Sequence, residues 1–454
     1  MRHPIRKDAT SMKRTLVAAT AICGLALATT ACGGDTKTGS DSAPAAGGQK
    51  LKGQTVTVAA VWTGGEQQNF QKVLDGFTAK TGAKVTYVST GDNFATVLGS
   101  KIAGGDSPDV AMVPQPGVLK EFAGKGWLQP LSQDVKSAAE KNYAKIWQTF
   151  GTVDGTYYGL YFKTSDKSTV WYSPQALETA GVQPPKTFAE MLDAARAVSD
   201  SGLPAFSVAG SDGWTLTDWF ENVYLSQAGP ENYDKLTRHE IPWSDPTVVK
   251  ALTTLSQLFG EDDLLAGGRK GALATSFPDS VAHVFGKTPK AGMVYEGDFV
   301  GGVVSGDLGG KVGEDAKFFP FPSVDGGPAP VVGGGEAAVA LKAGKNSKAA
   351  MELIAYLATP EAAEIWAKAG GFLSPNTKLD PAAYADDTLR TAAKSLIDAG
   401  DTVRFDMSDQ TPPAFGGTPG KGEWKILQDF LRDPSDPKAT AAELEAAAAK
   451  AYKG

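Results

Sequence analysis

From about residue 52 the chain alternates two hydrophobic rhythms. Residues 55–61 form a β-branched and apolar run, the pattern of a buried strand. Phe70, Val73, Leu74 and Phe77 then recur at helical spacing as one apolar stripe, and Gly82 stops that helix. Residues 84–88 predict the next strand, Val97 and Ile102 mark another helix, and 109–113 a short buried strand. Strand, helix, strand, helix, strand is the order of a parallel α/β sheet. Further strands are predicted over 157–162, 168–172, 292–295 and 317–321. Thr187 and Glu190 frame a capping box, followed by the stripe Phe188, Met191, Leu192 and Ala195. Ala350, Leu353, Ile354 and Leu357 form another helical face, and Thr359-Pro360 opens a further helix. The chain ends helically through Trp424, Leu427 and Leu431 and an Ala/Glu/Lys run, and no internal repeat is visible.

The first residues follow a different logic. Arg2, Arg6, Lys7, Lys13 and Arg14 precede a stretch, 16–31, that is apolar or small throughout. A basic region, a short apolar stretch and small residues read as a secretory signal over 1–31, too short for the roughly 20 apolar residues of a membrane span. Ala31-Cys32-Gly33-Gly34 resembles a bacterial lipobox, with Thr29 where leucine is usual, so Cys32 is the predicted lipidation site. Residues 32–50, rich in Gly, Ser, Ala and Thr, suit a flexible tether. Cleavage removes Cys23 and leaves Cys32 alone, which excludes an intrachain disulfide. These features predict a monomer on the extracellular face of the cell membrane, held by its lipid only.

Charge and motif narrow the chemistry. The chain carries a formal −7, and beyond residue 31 the balance is −11, with 39 basic and 50 acidic residues. That excess opposes nucleic-acid binding, which needs clustered Lys and Arg. Beyond the signal only His239 and His283 remain, neither in a metal-ligand spacing, and no G-x-S-x-G, P-loop or H-E-x-x-H occurs. No catalytic residue, metal site or cofactor is therefore predicted. Nine tryptophans stand out instead. Trp62, Trp171, Trp214, Trp219 and Trp366 fall near predicted strand ends or loops, whereas Trp147, Trp243 and Trp424 read as packing residues. Aromatic faces cover the C–H faces of sugars, and Asp, Glu, Asn and Arg pair with their hydroxyls. Trp62 and Glu66 follow the first strand and Asp92-Asn93 the second, where ligands bind beyond the carboxyl ends of an open α/β sheet.

Several segments in shared order resemble the family 1 extracellular solute-binding proteins, the maltose-binding-like group. They are Gly105-Asp-Ser-Pro-Asp-Val110, Tyr158-Gly-Leu160, Val170-Trp-Tyr172, Pro185 to Glu190, Gly333-Gly-Gly335, the AMELIAYL helix and Gly370 to Pro375. Val113-Pro-Gln-Pro-Gly117, Lys167 to Tyr172, Gly213-Trp214, Thr217-Asp-Trp219, Arg404-Phe-Asp406 and Ser408-Asp409 are closer to the alpha-glucoside-binding branch. The resemblance spans about residues 53–435. It implies a two-lobe α/β periplasmic-binding-protein-like fold of type II, with lobe 1 over 51–160 and 318–370 and lobe 2 over 162–314 and 375–454. Hinges are expected at Tyr158-Gly159 and near Pro320–Pro322. It implies capture of a sugar, an alpha-glucoside above others, for the permease subunits of an ABC importer. The site residues it implies are Trp62, Glu66, Asp92 and Asn93 in the first lobe and Trp171, Trp214, Asp218 and Trp219 in the second. Glu296, Phe299, Glu336, Arg404 and Asp406 join them, while Asp109 reads as a structural cap. A secreted carbohydrate-active enzyme and a binder of a non-sugar solute are the alternatives.

Overall fold

The structure is a computed structural model that describes residues 50–399 and 402–453; the predicted signal, the tether up to residue 49 and Cys32 lie outside them. The larger sheet has seven strands. Thr55–Ala60 lies between Lys84–Ser89 and Val110–Val113, parallel to both, as the sequence rhythm predicts. Next to Val110–Val113 runs the ten-residue strand Val332–Leu341, antiparallel to it, so the sheet is mixed rather than purely parallel. On its other edge Val332–Leu341 pairs antiparallel with Gly159–Asp166, and its ends take the short strands Leu128–Gln129 and Arg404–Phe405. A second sheet is built on Thr169–Tyr172, flanked antiparallel by Met293–Glu296 and Lys317–Pro320.

Side chains of the larger sheet alternate between two apolar layers, which is why the central strand Val110–Val113 reads as an unbroken hydrophobic run. Val56, Val58, Ala60, Val110, Met112, Leu160, Phe162, Ala338 and Ala340 join the layer containing Phe70, Phe77, Trp366 and Phe372. Ala59, Ala111, Val113, Tyr161, Ala337 and Val339 face the layer containing Phe94, Phe122 and Phe405. The second lobe packs around Trp219, Trp243, Phe259 and Phe430, with a satellite cluster around Trp171, Phe277, Phe299 and Val304. Leu379, Ala383, Tyr384, Leu389 and Ala392 pack in the first lobe, although the sequence assigns 375–454 to the second.

Local signals are realised where expected. Gly82 caps Gly64–Thr81 in the left-handed conformation at φ 76°, and Thr187 and Glu190 form both bonds of their capping box. Asp109 ties two segments, accepting the Thr57 N–H at 2.8 Å and the Asn346 N–H at 2.7 Å. The chain crosses between lobes at Asp166–Ser168: Gly159–Asp166 belongs to the first sheet, and after Lys167 and Ser168 the strand Thr169–Tyr172 opens the second. Gly159, an expected hinge, is instead buried inside the first sheet opposite Val339. Among the described residues no helix is long and apolar enough to cross a membrane.

Candidate functional site

A cavity of about 430 Å³ opens between the lobes. On the first-lobe side it is lined by residues just beyond the carboxyl ends of the three parallel strands: Trp62 after the first, Asp92 after the second and Gln115 after the third. That is where an open α/β sheet leaves backbone ends free and loops can diversify. Its size falls in the usual range for small-molecule sites, ~300–1,000 Å³. Another cavity of about 370 Å³, at the opposite ends of the same strands, is lined by Thr55, Lys101, Asp109 and Lys345 and has no aromatic wall.

The floor comes from the crossing strand. Lys163, Ser165 and Lys167 alternate along an extended backbone and line the cavity, and a register irregularity opposite Glu336 and Ala337 separates them from Tyr161 and Phe162, which pack in the two sheet layers. Lys163 is 1% exposed, and its Nζ lies 3.4 Å from Glu66 Oε1 and 3.9 Å from Glu336 Oε1. Burial alone would lower its pKa, but the Glu336 and Glu66 charges outweigh it and raise the value, so the lysine stays protonated. Burial in turn raises the Glu66 pKa against the pull of Lys163. The Trp62 indole N–H donates to Glu336 Oε1 at 3.3 Å and steadies the cluster.

Lys167 organises the second half. Its Nζ lies 2.5 Å from Asp406 Oδ2, 3.3 Å from Asp218 Oδ1 and 3.8 Å from Asp409 Oδ2. Asp406 is fully buried, which would raise its pKa, yet Lys167, Asp218 and the Asp409 N–H hold it at about 2. Asp409 is pushed up to about 8 by burial and by the Asp406 charge. Behind Asp406, Glu221 accepts the N–H groups of Met407 and Ser408 and the Tyr233 hydroxyl, fixing the turn that carries Asp409.

Aromatic planes complete the walls. Trp214 lies 5.4 Å over Lys167 Nζ and packs against Phe277 and Phe299, and Phe299 also lies 5.3 Å from Lys163 Nζ. Trp62 meets Phe70 and Trp366 edge-on at 4.8 Å. Trp424, from the helix Gly422–Arg432, lines the cavity as well.

Of the residues the sequence nominates, Trp62, Glu66, Asp92, Trp214, Phe299 and Glu336 line this cavity. The others do not. Trp171 is core: its indole N–H is satisfied internally by Thr169 Oγ1 at 2.9 Å and the Gly297 carbonyl at 3.1 Å. Trp219 packs between Phe206, Tyr295 and Phe321. Asp218 and Asp406 stand behind Lys167, and Glu296 is buried with its carboxyl pKa raised by desolvation. Arg404 pairs with Asp234 at 2.7 Å, outside the cavity lining, and Asn93 is an exposed neighbour of Asp92. Gln115, Lys163, Lys167, Asp212, Phe277, Asp409 and Trp424 line the cavity without having been nominated.

Aromatic planes interleaved with carboxylates give the geometry of a site that holds a solute. The family of bacterial extracellular solute-binding proteins matches residues 62–364. The chain belongs to this family. It is a non-catalytic solute-binding protein of the group that delivers carbohydrates to ABC importers. Its sequence is 32% identical over 385 residues to the osmoprotective compounds-binding protein GgtB of Synechocystis sp., covering 83% of this chain and 88% of that one. It is also 32% identical over 409 residues to the alpha-glucosides-binding periplasmic protein AglE of Rhizobium meliloti, covering 87% of each. The solved structure of the bacterial solute receptor AcbH, which prefers β-D-galactopyranose, aligns with a TM-score of 0.76 at 23% identity, over 88% of this solute-binding protein and 99% of AcbH. The periplasmic-binding-protein fold is thereby shared.

Proposed function

We propose that this protein captures an alpha-glucoside, a disaccharide or short oligosaccharide, at the outer face of the cell membrane and releases it to the permease subunits of its importer. It works as a monomer, tethered through a lipid on Cys32, and its lobes close on the sugar by rotation about the crossing segments. One observation carries the reading. The separate segments that resemble the alpha-glucoside-binding branch supply Gln115, Lys167, Trp214 and Asp409, and these four line one cavity. AglE, at 32% identity, supports the same substrate class. The donors and acceptors around Lys163 and Lys167 suit hydroxyl groups, and Trp214 offers an aromatic face for a pyranose ring.

The test is titration of intrinsic tryptophan fluorescence with maltose, trehalose, sucrose, a β-linked disaccharide and monosaccharides. A saturable change with an alpha-glucoside, with the sugar recovered intact, supports the proposal. Saturation by the β-linked sugar alone overturns the linkage, and no response to any sugar overturns the substrate class.

A further inference from the structure

The polar lining of the cavity is unequal in sign. Glu66, Asp92, Asp212 and Glu336 share it with two lysines, and both lysines are already engaged: Lys163 by Glu66 and Glu336, Lys167 by Asp406 behind it. No basic side chain pairs with Asp92 or Asp212 among the described residues. The two come from opposite lobes, Asp92 from the turn after Lys84–Ser89 and Asp212 from the segment before Trp214–Thr237. Asp212 is fixed in place, one oxygen accepting the Phe277 N–H at 2.6 Å and the other the Ser211 hydroxyl at 2.8 Å. Asp92 is reached by solvent, yet the protein mass around it and, to a lesser degree, the Asp212 charge push its pKa up to about 6, and both carboxylates line the same cavity.

An ionised carboxylate only accepts hydrogen bonds, so a group bridging this pair must donate, and a positively charged donor gains most from two uncompensated negative charges. We propose that the cavity takes a glycoside bearing a protonated amine, with the ammonium group held between Asp92 and Asp212. This rests on the sugar-binding reading and narrows it: amino sugars are preferred over neutral ones, and uronates and sugar phosphates are refused by the negative lining. A pH dependence follows. The charged groups sharing the cavity with Asp92 are Asp212, Glu66, Glu336, Asp409, Lys163 and Lys167. Asp409, at about 8, already holds its proton below neutrality and both lysines stay charged, so between pH 7 and 5 Asp92 loses its charge and the preference for an amine shrinks.

Isothermal titration of the protein with matched neutral and amino-deoxy forms of maltose and trehalose, with the amine at each ring position, tests this at pH 7 and pH 5. The expected result is at least one amino sugar bound roughly tenfold or more tightly than its neutral parent at pH 7. That ratio should fall at pH 5 and in both Asp92→Asn and Asp212→Asn. Neutral sugars binding as well as or better than every amino form would overturn the proposal and leave the sugar-binding reading standing. Preference retained in both variants would overturn it too. If no sugar of either kind bound, both readings would fall.

Discussion

Replacing Lys167 by methionine removes the cation that Asp218, Asp406 and Asp409 share. Asp406, fully buried, sits at about 2 against an ordinary value of 3.8. At 1.36 kcal/mol per unit, that difference amounts to about 2 kcal/mol. Removing one partner of a buried ion pair costs ~3–5 kcal/mol in general, because the remaining charge stays buried without compensation. A loss of about 3 kcal/mol at pH 7 is therefore expected for Lys167→Met. The sign in pH follows from the depressed carboxyl: its stabilising contribution is complete above 3.8 and is lost as pH falls toward 2. The difference between variant and parent should accordingly be large at pH 7 and shrink as pH falls below about 4. Denaturant unfolding followed by circular dichroism at several pH values measures it. A loss under about 1 kcal/mol at pH 7, or one that is the same at pH 3.5 and pH 7, would refute the view that Lys167 holds this carboxyl group ionised.

Other outcomes follow from the same geometry. Trp214→Ala removes the aromatic plane over Lys167, and sugar affinity measured by calorimetry should drop about two- to tenfold, the worth of ~0.5–1.5 kcal/mol of aromatic contact; unchanged affinity would remove Trp214 from the site. Asp298, buried, is raised to about 7, so it keeps its proton in the folded state while the unfolded chain releases it near 3.8, and stability is lost as pH rises from about 4 to 7. Asp298→Asn should flatten that slope, whereas parallel denaturation profiles of variant and parent between pH 5 and 8 would contradict it. Arg404→Ala breaks a partly exposed pair with Asp234 and should cost about 1 kcal/mol or less while leaving sugar affinity within about twofold; a tenfold loss of affinity would return Arg404 to the site.

Most of the architecture was legible because it rests on short-range rules. The apolar run of Thr55–Ala60, the stripe from Phe70 to Phe77 and the capping box at Thr187 each carry their own signal. Strand Val332–Leu341 was not read as a strand, since Gly333, Gly334 and Gly335 dilute its pattern; its conformation is imposed by pairing on both edges. The site was legible only in part. Trp171 and Trp219 look like Trp214 in sequence, and what separates them is tertiary: their neighbours enclose them, while Trp214 faces a gap. Lys163, Ser165 and Lys167 did carry a usable signal, the switch at Lys163 from an apolar strand to an unbroken polar run. Asp212 and Trp424 carried none, because distant segments bring them to the cavity.

The segment that carries Lys163, Ser165 and Lys167, the end of one strand and the link to the next, is also where the chain passes from one lobe to the other. Recognition and connection are thus written into the same short stretch of chain. A lineage adapting to a new solute by changing the floor of the cavity would disturb the link between its two halves, so divergence should be channelled to the rim. Asp92, Asp212 and Trp424 sit there on separate loops and helices, free to vary one at a time while the central strand is kept.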